Sequence, residues 1–454
     1  MKRIWIALGS TFLLLAFAGF VQAQNNNQAH WPQWRGPFFN GLARGDAPTN
    51  WNDTKNIKWK ASIPGRGFST PVIWGDRIFL TTAVPTGKPA AQPTGGNQAA
   101  AANVQAGSGR RPGGEAVPQP EHRFDVLCLD RKTGKLLWQK TAKVSEPHEG
   151  HHRTYGSFAS NSPSTDGRYV YVSFGSRGIY CYDFNGKLIW EKDLGVQMKI
   201  RLSFGEGSAP LLIDDRLIAV FDHEAGSFIV ALDKRTGKEL WRVARDEGSS
   251  WSTPLAIQHN GSTQVVVAAS RRVRSYDPKT GNVLWQAAGL GSNVIPMPVY
   301  SDGMVYVMSG YRDPRLMAVK LGKEGDLTNS EAIVWNHTRG LAYTTSPVLH
   351  ENKLYVVTDN GMVSAFNATT GEPFYSQVRL AGSYNLKASP VAANGKLYLA
   401  TENEDVVVLK LGEKFEVIAT NKLTDQVFIA APVIADGEIF LRGQNTLFCV
   451  SEKK

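Results

Sequence analysis

One pattern recurs through this chain and restricts it to very few folds. Each copy opens with a small residue, a proline and an apolar residue. A turn follows, often Asp-Gly or Asn-Gly, and then an alternating apolar strand. Next come a strand of the type Ala-Leu-Asp, a Thr-Gly-Lys turn and an apolar strand that ends in tryptophan. The opening prolines are Pro71, Pro163, Pro210, Pro254, Pro298, Pro347, Pro390 and Pro432. After the first gap they lie 42 to 49 residues apart. Self-similarity at that period, with four short strands per unit and turn residues between them, is the signature of propeller blades. The expectation is an all-β, eight-bladed β-propeller of four-stranded antiparallel blades. Its abundant glycine (44) and aromatic residues (12 Trp, 14 Tyr, 20 Phe) suit many tight turns and many strands.

The closing tryptophans are Trp138, Trp190, Trp241, Trp285 and Trp335, with Tyr375 in blade six and no aromatic in blade seven. A large flat ring with one N–H, placed once per repeat, is suited to wedge between neighbouring blades, so these residues are read as structural. The last copy runs out near Val450 without its closing strand. Ile57-Lys58-Trp59 reads like Leu136-Leu137-Trp138, so the N-terminal strand is expected to complete blade eight and close the ring, which removes exposed sheet edges. Cys128, Cys181 and Cys449 share one repeat position, the third strand, where other blades carry Ala231 or Ala365. Equivalent sites on adjacent blades sit about 10 Å apart, beyond disulfide reach, so three free, buried thiols are expected.

The first residues read as an address. Lys2 and Arg3 precede an apolar run from Ile4 to Val21, and Val21-Gln22-Ala23 supplies small residues for cleavage, giving a signal peptide over 1–23. An uncleaved membrane anchor is the alternative. No later segment is long and apolar enough to span a bilayer. Residues 24–56 form an N-terminal extension, 57–454 the propeller, and 84–122 a Gly-, Ala-, Pro- and Gln-rich insertion in blade one, read as a tolerated insertion or a partner-binding arm. The expected location is periplasmic or secreted. The formal charge is +10, and taking away Lys2 and Arg3 leaves +8. Outside the cytoplasm a nucleic-acid partner is not expected; a protein or a cell-envelope polymer is, with the chain itself a monomer.

The repeat, as it stands in Ala231-Leu232-Asp233 through Trp241 and in Ser275-Tyr276-Asp277 through Trp285, resembles that of the pyrroloquinoline-quinone (PQQ)-like propellers. Trp31-Pro32-Gln33-Trp34-Arg35-Gly36-Pro37 looks like the opening of exported members of that group. The resemblance implies two functional directions. One is a non-catalytic scaffold similar to BamB; the other is a quinoprotein oxidoreductase holding PQQ and calcium. The adjacent cysteines and the C-x-x-C-H haem motif of the quinoproteins are absent, as is a lipid-attachment cysteine. The leading expectation is therefore a non-enzymatic platform with no cofactor, and PQQ with calcium is the alternative.

Linkers between blades, together with the connections between strands two and three, share one face, and the long loops 139–158 and 191–206 lie there. Any site belongs on that face, around the central channel. Candidate ligand-binding residues are Arg66, His151, His152, Ser160, Asn161, Glu206, His223, Trp251, Arg312 and Tyr343. No catalytic residue and no metal ligand is assigned. His148-Glu149-Gly150-His151-His152 spells the zinc-protease motif H-E-x-x-H by letter, but that motif needs a helix, and here Pro147 and Gly150 place it in a loop.

Overall fold

The computed structural model describes residues 30–90 and 119–452. The expected leader and most of the blade-one insertion lie outside the described residues. The strands group into eight antiparallel sheets of four, and blade four gains a fifth strand. Blade one comprises Val72–Trp74, Arg77–Pro85, His122–Asp130 and Leu136–Ser145; the later blades repeat that order along the chain. In blade eight the outer strand is Ile57–Ser62, paired antiparallel with Thr446–Ser451, so the first strand of the ring closes the last blade as expected.

Each closing tryptophan lies opposite the small residue of strand three in its own blade. The pairs are Cys128–Trp138, Cys181–Trp190, Ala231–Trp241, Ser275–Trp285, Ala318–Trp335, Ala365–Tyr375 and Cys449–Trp59. Blade seven inverts the sizes, with Val408 opposite Ala419. Beside this pair the register slips in every blade, a β-bulge that turns the strand end and re-aims the ring. The re-aimed indole reaches the next blade. Trp59, Trp138, Trp190, Trp241 and Trp335 donate their N–H to the carbonyls of Arg131, Phe184, Lys234, Pro278 and Ala368 at 2.9–3.0 Å. Trp285 bonds instead to Gln264 within its own blade. Blade five has no Thr-Gly turn to receive it; there the chain makes an excursion whose Gly325–Asp326 adds the fifth, parallel strand to blade four.

A second ring of contacts runs nearer the axis. The residue before each opening proline is often Ser or Thr, and that hydroxyl accepts the amide at the same position one blade earlier. Thr70→Ser162, Ala209→Thr253, Met297→Ser346, Ser346→Ser389 and Ala431→Thr70 close five of the eight seams in this way. The other three seams would need hydroxyls at positions occupied by Ala209, Met297 and Ala431.

Two boundaries differ from the sequence reading. Val84 and Pro85 pair with Arg123 and His122, so the blade-one excursion begins after the strand, because both legs continue the ladder outward. The outer strand of blade one also runs to Ser145, which shortens the first long linker. The three cysteines are free and buried at the shared position. Burial pushes the Cys128 thiol up to about 12, and those of Cys181 and Cys449 also upward.

Residues 31–43 are packed into the ring on the side away from the long loops. Trp31 exchanges backbone hydrogen bonds with Ile73 of blade one, and Thr165 of blade two donates to Pro32. Arg35, fully buried, donates to the Pro390 carbonyl at 2.8 Å and the Pro347 carbonyl at 3.0 Å, in blades seven and six. The Ala43 amide then bonds to Ala392 of blade seven. This short segment thus spans the channel from one side of the ring to the other.

Candidate functional site

The first strand of each blade starts on the loop-rich face and runs inward along the axis, so the eight linkers converge on the channel mouth. They enclose a cavity of about 380 Å³, at the small end of the range for ligand pockets. All eight linkers contribute, through Phe68, Tyr155, Phe204, Trp251, Ile295, Tyr343, Lys387 and Ile429. Below them the wall is made by the pre-proline residues of the inner seam, among them Thr70, Ser162, Thr253 and Ser389. Trp34, carried by the N-terminal segment, lines the inner end. The cavity is therefore an aromatic well open on the loop face.

Of the ten sequence-derived candidates, His152, Ser160, Asn161, Glu206, Trp251 and Tyr343 line this cavity. Arg66, His151, His223 and Arg312 do not. Arg66 ties the first linker down, donating to the Arg153 and Thr154 carbonyls at 2.7 and 2.9 Å. His151 lies edge-on to Phe158. His223 is buried, its Nδ1 facing the Lys199 and Ala225 amides at 3.3 Å. Arg312 sits over Tyr311 at the rim. The candidates were mostly polar and took only Trp251 and Tyr343 from the well's aromatic wall; the linker aromatics Tyr155, Phe204 and Tyr311 carried the remaining signal.

The charged groups at the well are neutralised within the protein. Glu206 accepts from Arg177 at 2.7 Å, from the Ser176 amide at 2.6 Å and from its hydroxyl at 2.8 Å. Lys387 meets Asp359 at 3.2 Å and Glu402 at 3.8 Å, and stands over the Tyr155 ring. His152 stacks on Tyr155 at 4.2 Å; burial first, then Lys387 and Arg66, hold its pKa below the ordinary histidine value. The Tyr343 hydroxyl is pushed up by burial. Trp251 is fixed by an N–H bond to the Gly205 carbonyl at 2.7 Å.

The residues spelling H-E-x-x-H lie in a loop and are engaged separately. His148 bridges the Met198 carbonyl and Arg177, while Glu149 accepts the Ile200 amide at 2.9 Å. Without a helix to bring both histidines to one face, the geometry of a zinc protease is not formed.

Comparison with known proteins agrees with the architecture. The profile of the family described as outer membrane protein assembly factor BamB matches residues 122–377 and 270–453, together most of the chain. The crystal structure of BamB from Moraxella catarrhalis superposes with a TM-score of 0.54 at 16% identity, covering 71% of this chain and 90% of that one. Quinohemoprotein alcohol dehydrogenase from Comamonas testosteroni gives 0.61 at 10% identity, covering 96% and 83%. Tetrathionate hydrolase from Acidithiobacillus ferrooxidans is 23% identical over 354 residues, 70% of this chain and 66% of that protein. The chain thus spans just under two thirds of that relative's length.

Proposed function

The chain belongs to the family of the outer membrane protein assembly factor BamB, and from that membership we propose that it is a non-enzymatic binding platform outside the cytoplasm, engaging a protein partner through its loop-rich face. The observation that carries this reading is the aromatic well to which all eight linkers contribute. Rigid aromatic side chains lining a pocket are what anchors protein–protein recognition, because they offer large contact area at little conformational cost. A cell-envelope polymer is the competing partner. Photo-crosslinking distinguishes a partner held by the well from general adhesion. A benzophenone amino acid at Tyr155, at the mouth, is expected to give a discrete protein adduct in the source cell. The same probe at Leu240, equally accessible on the outer rim, is expected to give none. Equal adducts from both positions would overturn the reading.

The second reading, an oxidoreductase using PQQ and calcium, is less well supported by the donor set. PQQ is a planar tricarboxylate and needs several cations around it. Among the described residues lining the well, Lys387 alone carries a permanent positive charge, and it is already shared between two carboxylates. Calcium would need a cage of free oxygen ligands, whereas Glu206 and Asp359 are both occupied by in-chain donors. These residues do not fit the group. Titration of the purified chain with PQQ and calcium is expected to leave tryptophan fluorescence unquenched; saturable, calcium-dependent quenching would restore the oxidoreductase reading.

A further inference from the structure

We infer that the partner segment received by the well is acidic: an aromatic side chain enters, and the carboxylates beside it in sequence lie across Arg201, Arg271 and Arg312 at the mouth. This rests on the binding-platform reading and adds to it the chemistry of the partner.

The placement of these arginines carries the inference. Each is exposed, and each comes from a different connection of the loop-rich face. Arg201 lies on the linker from blade two to blade three, just before Phe204 of the well's wall. Arg271 and Arg312 lie at the tips between strands two and three of blades four and five. Arg312 stands over Tyr311, whose ring is 5.1 Å from that of Tyr343, and both tyrosines line the well. Arg201 and Arg271 line a second, polar cavity of about 400 Å³, together with Asn293. That cavity adjoins the well. Burial raises the pKa of the Tyr343 hydroxyl, and Asn293 and Arg201 are near enough to pull against it. The tips of blades four and five are pressed together. The Arg271 amide bonds to the Gly291 carbonyl, and a Cβ at Gly291 would stand 2.2 Å from the Arg312 carbonyl oxygen. The guanidiniums therefore edge one side of the mouth.

Their charge is unmatched. The acids lining the polar cavity are already engaged: Asp246 and Glu247 with Arg272 and Arg274, and Glu224 with the amide and hydroxyl of Ser249. Behind them Arg245 pairs with Asp222. Among the described residues no carboxylate lies within ion-pair distance of Arg201, Arg271 or Arg312, although Asp313 is exposed beside the last. Arg271 and Arg312 also hold φ of +77° and +39°, a conformation that strains any residue bearing a side chain. Glycine would relieve the strain, yet each tip presents a guanidinium to water. An acidic segment pairs with these groups at exposed positions, where no buried charge has to be desolvated, while its ring fills the adjoining well. A basic segment is repelled by the same sector.

The test uses two capped pentapeptides, observed by 19F NMR with the full chain. One is acetyl-Glu-Glu-(4-fluoro-Phe)-Glu-Glu amide; the other replaces every Glu by Lys. The acidic probe is expected to bind about 10-fold more tightly at low salt, with the difference shrinking at about 0.5 M salt, where exposed charges are screened. The Arg201→Ala/Arg271→Ala/Arg312→Ala variant is expected to lose most of that preference. Arg235→Ala/Lys238→Ala/Lys279→Ala removes as many exposed charges from the opposite face and is expected to keep it. Trp251→Ala and, at the exposed mouth, Tyr155→Ala should weaken the acidic probe and so locate its ring in the well. Unlabelled acetyl-Glu-Glu-Gly-Glu-Glu amide should fail to displace it; equal displacement would mean that any polyanion suffices and would overturn the inference. If both probes bind in the well equally, or the preference survives the arginine variant, the inference fails while the platform reading stands. If neither probe binds, the inference fails, and the crosslink at Tyr155 decides the platform reading separately.

Discussion

A glycine in a Thr-Gly or Asn-Gly turn here answers to two demands at once. Gly237 has φ +71°, and a Cβ on it would lie 2.6 Å from the Trp190 ring of the preceding blade. Gly134, Gly186, Gly281 and Gly371 meet Trp59, Trp138, Trp241 and Trp335 in the same way. Gly261 shares the positive φ, at +77°, but has nothing within 4 Å. The pair separates the two demands. Gly261→Ala should cost about 1 kcal/mol from backbone conformation. Gly237→Ala should cost that plus about 1–3 kcal/mol of overpacking against the indole, read as a larger shift of the denaturation midpoint. The turn chemistry was legible in the sequence, since Thr-Gly before an apolar strand announces a hairpin. The contact was not, because it joins residues of different repeats. The thiols give a second residue-scale expectation. With burial holding Cys128 protonated up to about 12, iodoacetamide at mildly alkaline pH should label no cysteine in the native chain and all three after unfolding.

Among the elements, the linker after blade one carries two histidines that make it sensitive to acid. His151 and His152 are packed on Phe158 and Tyr155, and burial lowers both below the ordinary histidine value of about 6.5. Folding therefore favours the neutral rings. Their stabilisation is complete above about pH 6.5 and is lost as pH falls below it, when the unfolded linker binds protons that the folded one resists. Limited proteolysis within residues 147–158 should accelerate between pH 7 and pH 5, and a His151→Phe/His152→Phe variant should flatten that dependence. The inner seams offer a sharper measurement. Thr253→Val removes the acceptor of the buried Ala209 amide and should destabilise the chain by about 1–3 kcal/mol in denaturant titrations. Sequence reasoning put its candidates on the face where the linker-lined cavity opens, because strand polarity dictates which connections share a side. It found only part of the well, because most of the residues sought were polar, whereas Phe68, Tyr155, Phe204, Tyr311, Ile295 and Ile429 also line it. Trp34 stood in a quoted motif, but nothing local reveals that residue 35 reaches carbonyls more than 300 positions away.

At the scale of the whole molecule, two N-terminal pieces complete a structure otherwise built from eight repeats. Ile57–Ser62 supplies the missing strand, and residues 31–43 cross the channel. Removing residues 24–43 should leave the sheets paired but open the well at its inner end. The expected result is retained far-UV circular dichroism and a lower thermal midpoint. Removing residues through 62 as well should expose the edge of Thr446–Ser451 and drive self-association, visible by light scattering.

The strand that closes the ring also sets the order of events in time. Trp59 leaves the ribosome nearly four hundred residues before Cys449, the residue it must lie against. Seven blades can pair from neighbouring segments as the chain emerges, but the eighth must wait for the last of it, and the entropy of that longest loop falls on a single late step. Until then the chain carries an unpaired edge at each end. A protein made this way stays unfinished until its final strand arrives, and then completes itself in one closure.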